Sequence, residues 1–237
     1  MSKGMVAPAT ALAPAPASAT AGVARYLEAI FYLRAEGLPP RPARLADWLG
    51  VSAPTVSEAV RRLARDELVE AAPNQPIEFT AKGAATAGAV VRRHRVLERW
   101  LTGELGLDWV TADEEAHRLA NDVSDLVLER LHERLGRPST CPHGNPIPGE
   151  PQPRLDLVNL PDLAVGRPAT VVRISELAEH DAPQVLRLLQ ARGLVPGVRV
   201  KLRAAPPAAD VVEVETGEAS VHLATQVARA VWVTTST

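Results

Sequence analysis

The chain of 237 residues is 46% hydrophobic but only 3% aromatic, and its formal net charge is −2. That length accommodates two or three small domains, with cores built from Leu, Val and Ala rather than aromatic rings. No apolar run is long enough to span a membrane, and the single cysteine, Cys141, excludes an intramolecular disulfide and suits a reducing, cytoplasmic setting. The charge does not advertise a nucleic-acid partner, but it is unevenly placed. Residues 23–92 are near balance and 93–137 carry an acidic excess, so a DNA reader must gather its arginines on one face.

Residues 1–22, rich in Ala and Pro, cannot form a long helix or a packed core and are expected to be a disordered tail. Lys3 ahead of an Ala-rich stretch invites an export-signal reading, but the prolines interrupt any apolar segment of the required length. In GVARYLEAIFYLRAEG, Val23, Leu27, Ile30, Phe31 and Leu33 fit an amphipathic helix closed by Gly37. RPARLADWLG predicts a short helix with Leu45, Trp48 and Leu49 inward and Gly50 as its stop. In VSAPTVSEAVRRLARDELV, Pro54 sits in a first turn and Val56, Val60 and Leu63 form an apolar stripe. The order helix, short turn, helix is that of a helix-turn-helix. LVEAAPNQPIEFT then reads as a two-stranded wing.

Thr80 is placed to cap a long helix from about Lys82 to Leu105, and a second runs from about Thr111 to Leu135, ended by Gly136 and Pro138. Proline then dominates, and residues 150–168 read as an extended linker. From Ala169 the pattern changes to ATVVRISEL, a helix APQVLRLLQARG, then VRVKLRA, DVVEVET, ASVHLAT and RAVWVTT, which suggests a small β-barrel. The expected fold is mainly α with a small β domain. A winged helix-turn-helix spans 23–92, a helical dimerisation and metal-binding domain 93–149, and an SH3-like barrel 169–237.

The second helix of a helix-turn-helix enters the major groove by its N-terminal end. Here that end offers Ser52, Pro54, Thr55, Ser57 and Glu58, with Arg61 and Arg62 a turn later and Arg44 on the preceding helix to clamp phosphates. Glu58 either accepts from a cytosine amino group or repels phosphate. The two long helices are natural dimer elements, so the expected partner is a palindromic double-stranded operator bound by a homodimer. The competing reading is a helix-turn-helix used only for packing.

His94 and Glu98 share a helix face at a spacing of four, as do Asp113 and His117. Such pairs are either surface ion pairs or half of a site for divalent manganese, iron or zinc. Cys141, His143 and His132 suggest a zinc cluster, but a Pro-rich turn carrying a thiol is the preferred reading.

Taken together, these segments resemble the DtxR/MntR family of metal-dependent transcriptional repressors. APTVSEAVRRLARDELV looks like its recognition helix, RRHRVLERWL and DEEAHRLANDVSD like its metal- and dimer-bearing helices, and HGNPIPG like the motif that ends its dimerisation domain. The C-terminal segment is similar to its SH3-like (FeoA-like) domain, and the resemblance covers roughly residues 22–235. It implies divalent iron or manganese as co-repressor, with zinc or cobalt as substitutes in vitro. It places an ancillary site at His94, Glu98 and Asp113, completed by Asp181 and Gln184 from the C-terminal domain. It places the primary site at Arg25, Glu28, His117, Ala120 and Asn121, where Arg25 and Ala120 cannot coordinate a cation and Asn121 is a weak ligand. Two consequences stay open at this level. Arg25 pairs with a carboxylate and replaces the metal, or sensing has moved to the surviving site or another ligand. Glu58 stands where iron-type relatives carry Gln, and Glu67 where Gly usually precedes the wing.

The expected function is a DNA-binding transcriptional repressor. The alternatives are a relative whose DNA binding is independent of metal, and a metal- or protein-binding module that does not touch DNA. The C-terminal domain either docks the Pro-rich linker, supplies metal ligands, or adds only stability. No phosphate loop, nucleophile elbow or zinc-protease motif points to an enzyme.

Overall fold

The computed structural model describes residues 19–204, 210–217 and 219–235, without the side chains of Glu179 and Asp181. Most of the expected N-terminal tail therefore lies outside the described residues. Helix α1 (Ala21–Ala35) turns Leu27, Ile30 and Leu33 inward against Leu45 of α2 (Pro42–Leu49) and Val56 and Leu63 of α3 (Ala53–Arg65). Gly50, at φ +62°, ends α2 in the left-handed conformation that glycine tolerates. Two residues later, Ser52 accepts a hydrogen bond from the Thr55 amide at 3.3 Å and starts α3. This head is the expected helix-turn-helix. Its wing pairs β1 (Val69–Glu70) with β2 (Glu78–Phe79), Val69 lying opposite Phe79.

Thr80 caps α4 (Ala81–Gly103) by accepting from the Gly83 amide at 2.9 Å. Gly83 is needed there, because a Cβ would lie 1.7 Å from the Leu68 carbonyl oxygen. Against α4 pack α5 (Trp109–Leu119) and α6 (Asp125–Arg134), around Val96, Leu97, Leu101, Ala112, Ala116 and Leu128. The single helix expected over 111–135 is thus two helices. Asn121, Asp122 and Ser124 favour local hydrogen bonds over helix. Ser124 accepts from the Val127 amide at 3.3 Å and begins a new helix. Arg93 of α4 donates to the carbonyls of Ala120 and Val123, which stabilises the break.

The C-terminal domain begins with β3 (Val158–Asn159) and a 3-10 turn (Leu160–Asp162), inside the stretch expected to be linker. Then follow β4 (Pro168–Ile174), α7 (Glu176–Asp181), α8 (Pro183–Ala191), β5 (Arg199–Ala204), β6 (Val211–Thr216), β7 (Ala219–Ala224), α9 (Thr225–Ala228) and β8 (Val231–Thr234). The strands form one antiparallel sheet in the order β3-β8-β4-β5-β6-β7. Register shifts at Val171/Arg173 and Leu202/Ala204 bend it. Among the described residues the end strands β3 and β7 do not pair, so the sheet is curved rather than closed. Trp109 and Val110 of α5 enter its core beside Leu160, Ile174 and Leu186, which docks the domain on the helices.

Glu67, between α3 and the wing, has φ +59°. A non-glycine residue there is strained by roughly 1 kcal/mol. Glu67→Gly is therefore expected to raise the unfolding midpoint by about 2–4 °C, read by calorimetry; a lowered midpoint would show that Glu67 makes a compensating contact.

Candidate metal centre and DNA-reading surface

On α3, Ser52, Pro54, Thr55, Glu58, Arg61 and Arg62 are exposed and Ser57 is half-buried, so the predicted reading residues share one solvent face. The Ser52 and Thr55 hydroxyls lie 2.8 Å apart, and Ser57 donates to the Ala53 carbonyl at 2.9 Å, which sets their rotamers. Arg61 lies 2.6 Å and Arg65 3.9 Å from the Glu58 carboxylate. Arg44 donates to the Pro39 carbonyl at 3.1 Å.

The second feature runs along α4. Among the described residues, three groups hold one donor atom from each member within 4.8 Å: Glu28, His94 and His117; His94, Glu98 and Asp113; and Glu98, Cys141 and His143. They share His94 and Glu98 and so form one string. His94 Nε2 lies 3.1 Å from Asp113 Oδ1 and 4.0 Å from Glu98 Oε2. His143 Nδ1 is 3.0 Å from Glu98 Oε1 on the other side. His117 Nε2 is 3.5 Å from Glu28 Oε2, and its ring centroid is 4.1 Å from that of His94. Tyr32 donates to Glu28 Oε1 at 2.9 Å. His94, Glu98, Cys141 and His143 are buried, whereas the His117 side chain is 48% exposed and marks the open end.

Burial opposes ionisation of Glu28, Glu98 and Asp113, but the adjacent imidazoles outweigh it and hold all three below the ordinary carboxylate range. Burial also opposes charge on His117, yet Glu28 and Asp113 raise it to about 9. The residues fit a divalent cation. Carboxylate oxygens, imidazole nitrogens and a thiol converge, and His94 Nδ1 is buried with no hydrogen-bond partner among the described residues. Such an ion would replace the imidazole protons as the neutralising charge.

The structure corrects several expectations. Among the described residues Arg25 pairs with no carboxylate; it is exposed and donates to the Leu49 carbonyl at 2.6 Å, at the C-terminus of α2. Ala120 follows the last residue of α5 and gives its carbonyl to Arg93. Asn121 is exposed in the break after α5. His117 and Glu28, assigned to the primary site, join His94 instead. Gln184 is exposed on α8, and the Asp181 side chain lies outside the described residues. The Pro-rich turn reading missed Cys141 and His143, which the Thr140–Pro146 bridge folds back onto Glu98. His132 is elsewhere, between Arg92 and the Pro138 carbonyl.

Comparison with known proteins matches three family models: the iron-dependent repressor N-terminal DNA-binding domain at residues 19–76, the iron-dependent repressor metal-binding and dimerisation domain at 80–149, and the FeoA domain at 158–235. The chain is 39% identical over 219 residues to the iron-dependent repressor IdeR of Mycobacterium leprae, covering 88% of this chain and 94% of that protein. It is 39% identical over 175 residues to the diphtheria toxin repressor of Corynebacterium glutamicum, covering 70% and 77%. Among solved structures, a manganese-dependent transcriptional repressor in complex with manganese superposes with a TM-score of 0.77 at 34% identity, covering 89% and 98%. The order of the three matched domains and the near-complete overlap place this chain in the iron-dependent repressor family.

Proposed function

We propose that this chain is a cytoplasmic transcriptional repressor that binds a palindromic DNA operator as a homodimer, with a divalent metal as co-repressor. The continuous string of ligands from Glu28 to Cys141 carries this reading. Iron or manganese is the expected ion, in line with the names of its relatives, and zinc or cobalt would substitute. His94, Glu98 and Asp113 would hold it at the middle of the string, with Glu28 and His117 on one side and Cys141 and His143 on the other as further donors, so that its charge would link α4 to α5. Arg25, turned outward, adds no donor to this set and ties α1 to α2 directly. On the DNA side, α3 enters the major groove, Thr55 and Glu58 face base edges, and Arg61 and Arg62 hold phosphates.

The test is fluorescence anisotropy of the chelator-treated protein on fragments of its own promoter, at fixed salt because phosphate contacts make affinity salt-dependent. Divalent manganese or iron is expected to tighten binding by at least about tenfold, a coupling of roughly 1.4 kcal/mol. Equal affinity without metal would overturn the co-repressor role. His94→Ala with Glu98→Gln should abolish the metal response, whereas Arg61→Glu with Arg62→Glu should abolish operator binding and leave the dimer intact.

Glu58 should set base preference, because a carboxylate accepts from cytosine N4 whereas an amide pairs with adenine. Operator selection from a random library should shift from cytosine to adenine at one position per half-site in Glu58→Gln. An identical consensus would remove Glu58 from the reading surface.

A pH dependence follows from His117. Its folded pKa, about 9, exceeds the ordinary 6.5. The protonated form is therefore favoured by folding, and that stabilisation is complete below 6.5 and lost as pH rises through about 9. The metal-free protein should melt at progressively lower temperature across this window, and His117→Gln should flatten the trend.

A further inference from the structure

We propose that the C-terminal domain is a brace that fixes the orientation of the DNA-reading head, with Glu36 and the Trp48–His180 stack as its two anchor points. This rests on the DNA-reading function above.

Glu36 is the residue at which α1 ends, and its carboxylate is 4% exposed. Arg173 donates to it at 2.6 Å, the Ser175 hydroxyl at 3.0 Å and the Glu176 amide at 3.0 Å. All three donors belong to the junction of β4 and α7 in the C-terminal domain. A buried carboxylate bound by donors from another domain holds the two together, because separation leaves the charge without them. The second anchor is on a different helix. The His180 ring of α7 stacks on Trp48 of α2, with centroids 4.0 Å apart and planes 5° apart, and its Nε2 donates to the Trp48 carbonyl at 2.6 Å. Two contacts on two helices of a head that shares one core prevent rotation about either, and so fix α3.

The brace is itself seated on the dimerisation domain. Glu176 pairs with Arg95 of α4, and both are buried. The Ile174 amide donates to the His143 carbonyl at 2.8 Å, and Asn145 donates back to the Ile174 carbonyl at 3.0 Å. Gly144, at φ +85°, brings its backbone so close to β4 that a Cβ would lie 2.0 Å from the Val172 carbonyl oxygen. Head, brace and α4 therefore form a closed ring of contacts. A dimer reading two half-sites about 34–36 Å apart needs both recognition helices held in register. If release leaves each head correctly oriented about one-tenth of the time, apparent affinity falls about tenfold per head and about hundredfold per dimer.

The experiment uses the full chain. Spin labels at Arg65→Cys on α3 and Val165→Cys in the C-terminal domain, both exposed, report the head-to-brace distance by double electron–electron resonance. Labelled protomers are diluted into unlabelled protein so that each distance is within one chain. The wild type should give a narrow distribution, and Glu36→Ala and His180→Ala broad ones. Unlabelled variants saturated with manganese should bind the operator about 10- to 100-fold more weakly. His180→Phe, which keeps a ring over Trp48, should restore most of the affinity and the narrow distribution. If Glu36→Ala fails to fold, the exposed His180 carries the test. Distances in His180→Ala as narrow as in the wild type would overturn the brace, as would broadened distances with affinity unchanged. The distances need no DNA, so a wild type that binds no operator overturns the proposed function and leaves the brace to be judged on the distances alone.

Discussion

A carboxylate in the last turns of α4 organises this molecule. Glu98 is 1% exposed, and an ionised group in that position is tolerated only when it is neutralised and hydrogen-bonded. One partner, His94, comes from the preceding turn of the same helix. The other, His143, has to be brought from the Pro-rich turn. That requirement folds residues 139–149 back onto α4, buries Cys141 beside Glu98, and presents the His143 and Asn145 backbone and side chain to β4. The C-terminal domain takes its position from those contacts. One buried charge thus sets the packing of the dimerisation helices and the docking of the third domain.

The same chemistry shapes the end of the ligand string that lies nearest the head. Arg25 would repel a cation if it faced inward, but it turns outward and satisfies a helix-terminal carbonyl. Glu28, one turn on, faces inward and meets His117 and His94. The acidic and imidazole groups therefore stay connected from α1 to the Pro-rich turn, although Ala120 and Asn121 contribute no donor to the string.

The head was legible in the sequence because its signals are local. Three-to-four periodicity, Gly50 as a stop and Pro54 in a first turn lie within a few residues of the structure they specify. The His94–Glu98 and Asp113–His117 pairs were visible from their helical spacing, but only the family resemblance grouped His94, Glu98 and Asp113. The break at 120–124 was less visible, since Arg93, which occupies its carbonyls, lies 27 residues away from Ala120. The two-residue strand β3 is too short for alternation to register. Cys141 and His143 were hidden by composition, because proline suggests an extended linker whether or not the chain folds back. Glu36 and His180 gave no signal, for their partners are 137 and 132 residues distant. What sequence reading loses here is contact between domains.

The charge on the reading surface gives fixed orientation a particular weight. Many DNA-binding proteins gain affinity from dense phosphate contacts that tolerate some misalignment. This head has few to spend. Arg61 and Arg65 both lie near Glu58, and the wing sets Glu70 opposite Glu78 with no Lys or Arg in its turn. Arg34 pairs with Glu78 of the wing. With a weak electrostatic grip, discrimination depends on bringing the Thr55 and Glu58 side chains to base edges in both half-sites at once. A head free to swing would lose that alignment and have little non-specific attraction to compensate. The ring of contacts through Glu36, Trp48, His180 and Arg95 supplies by geometry what the surface charge does not.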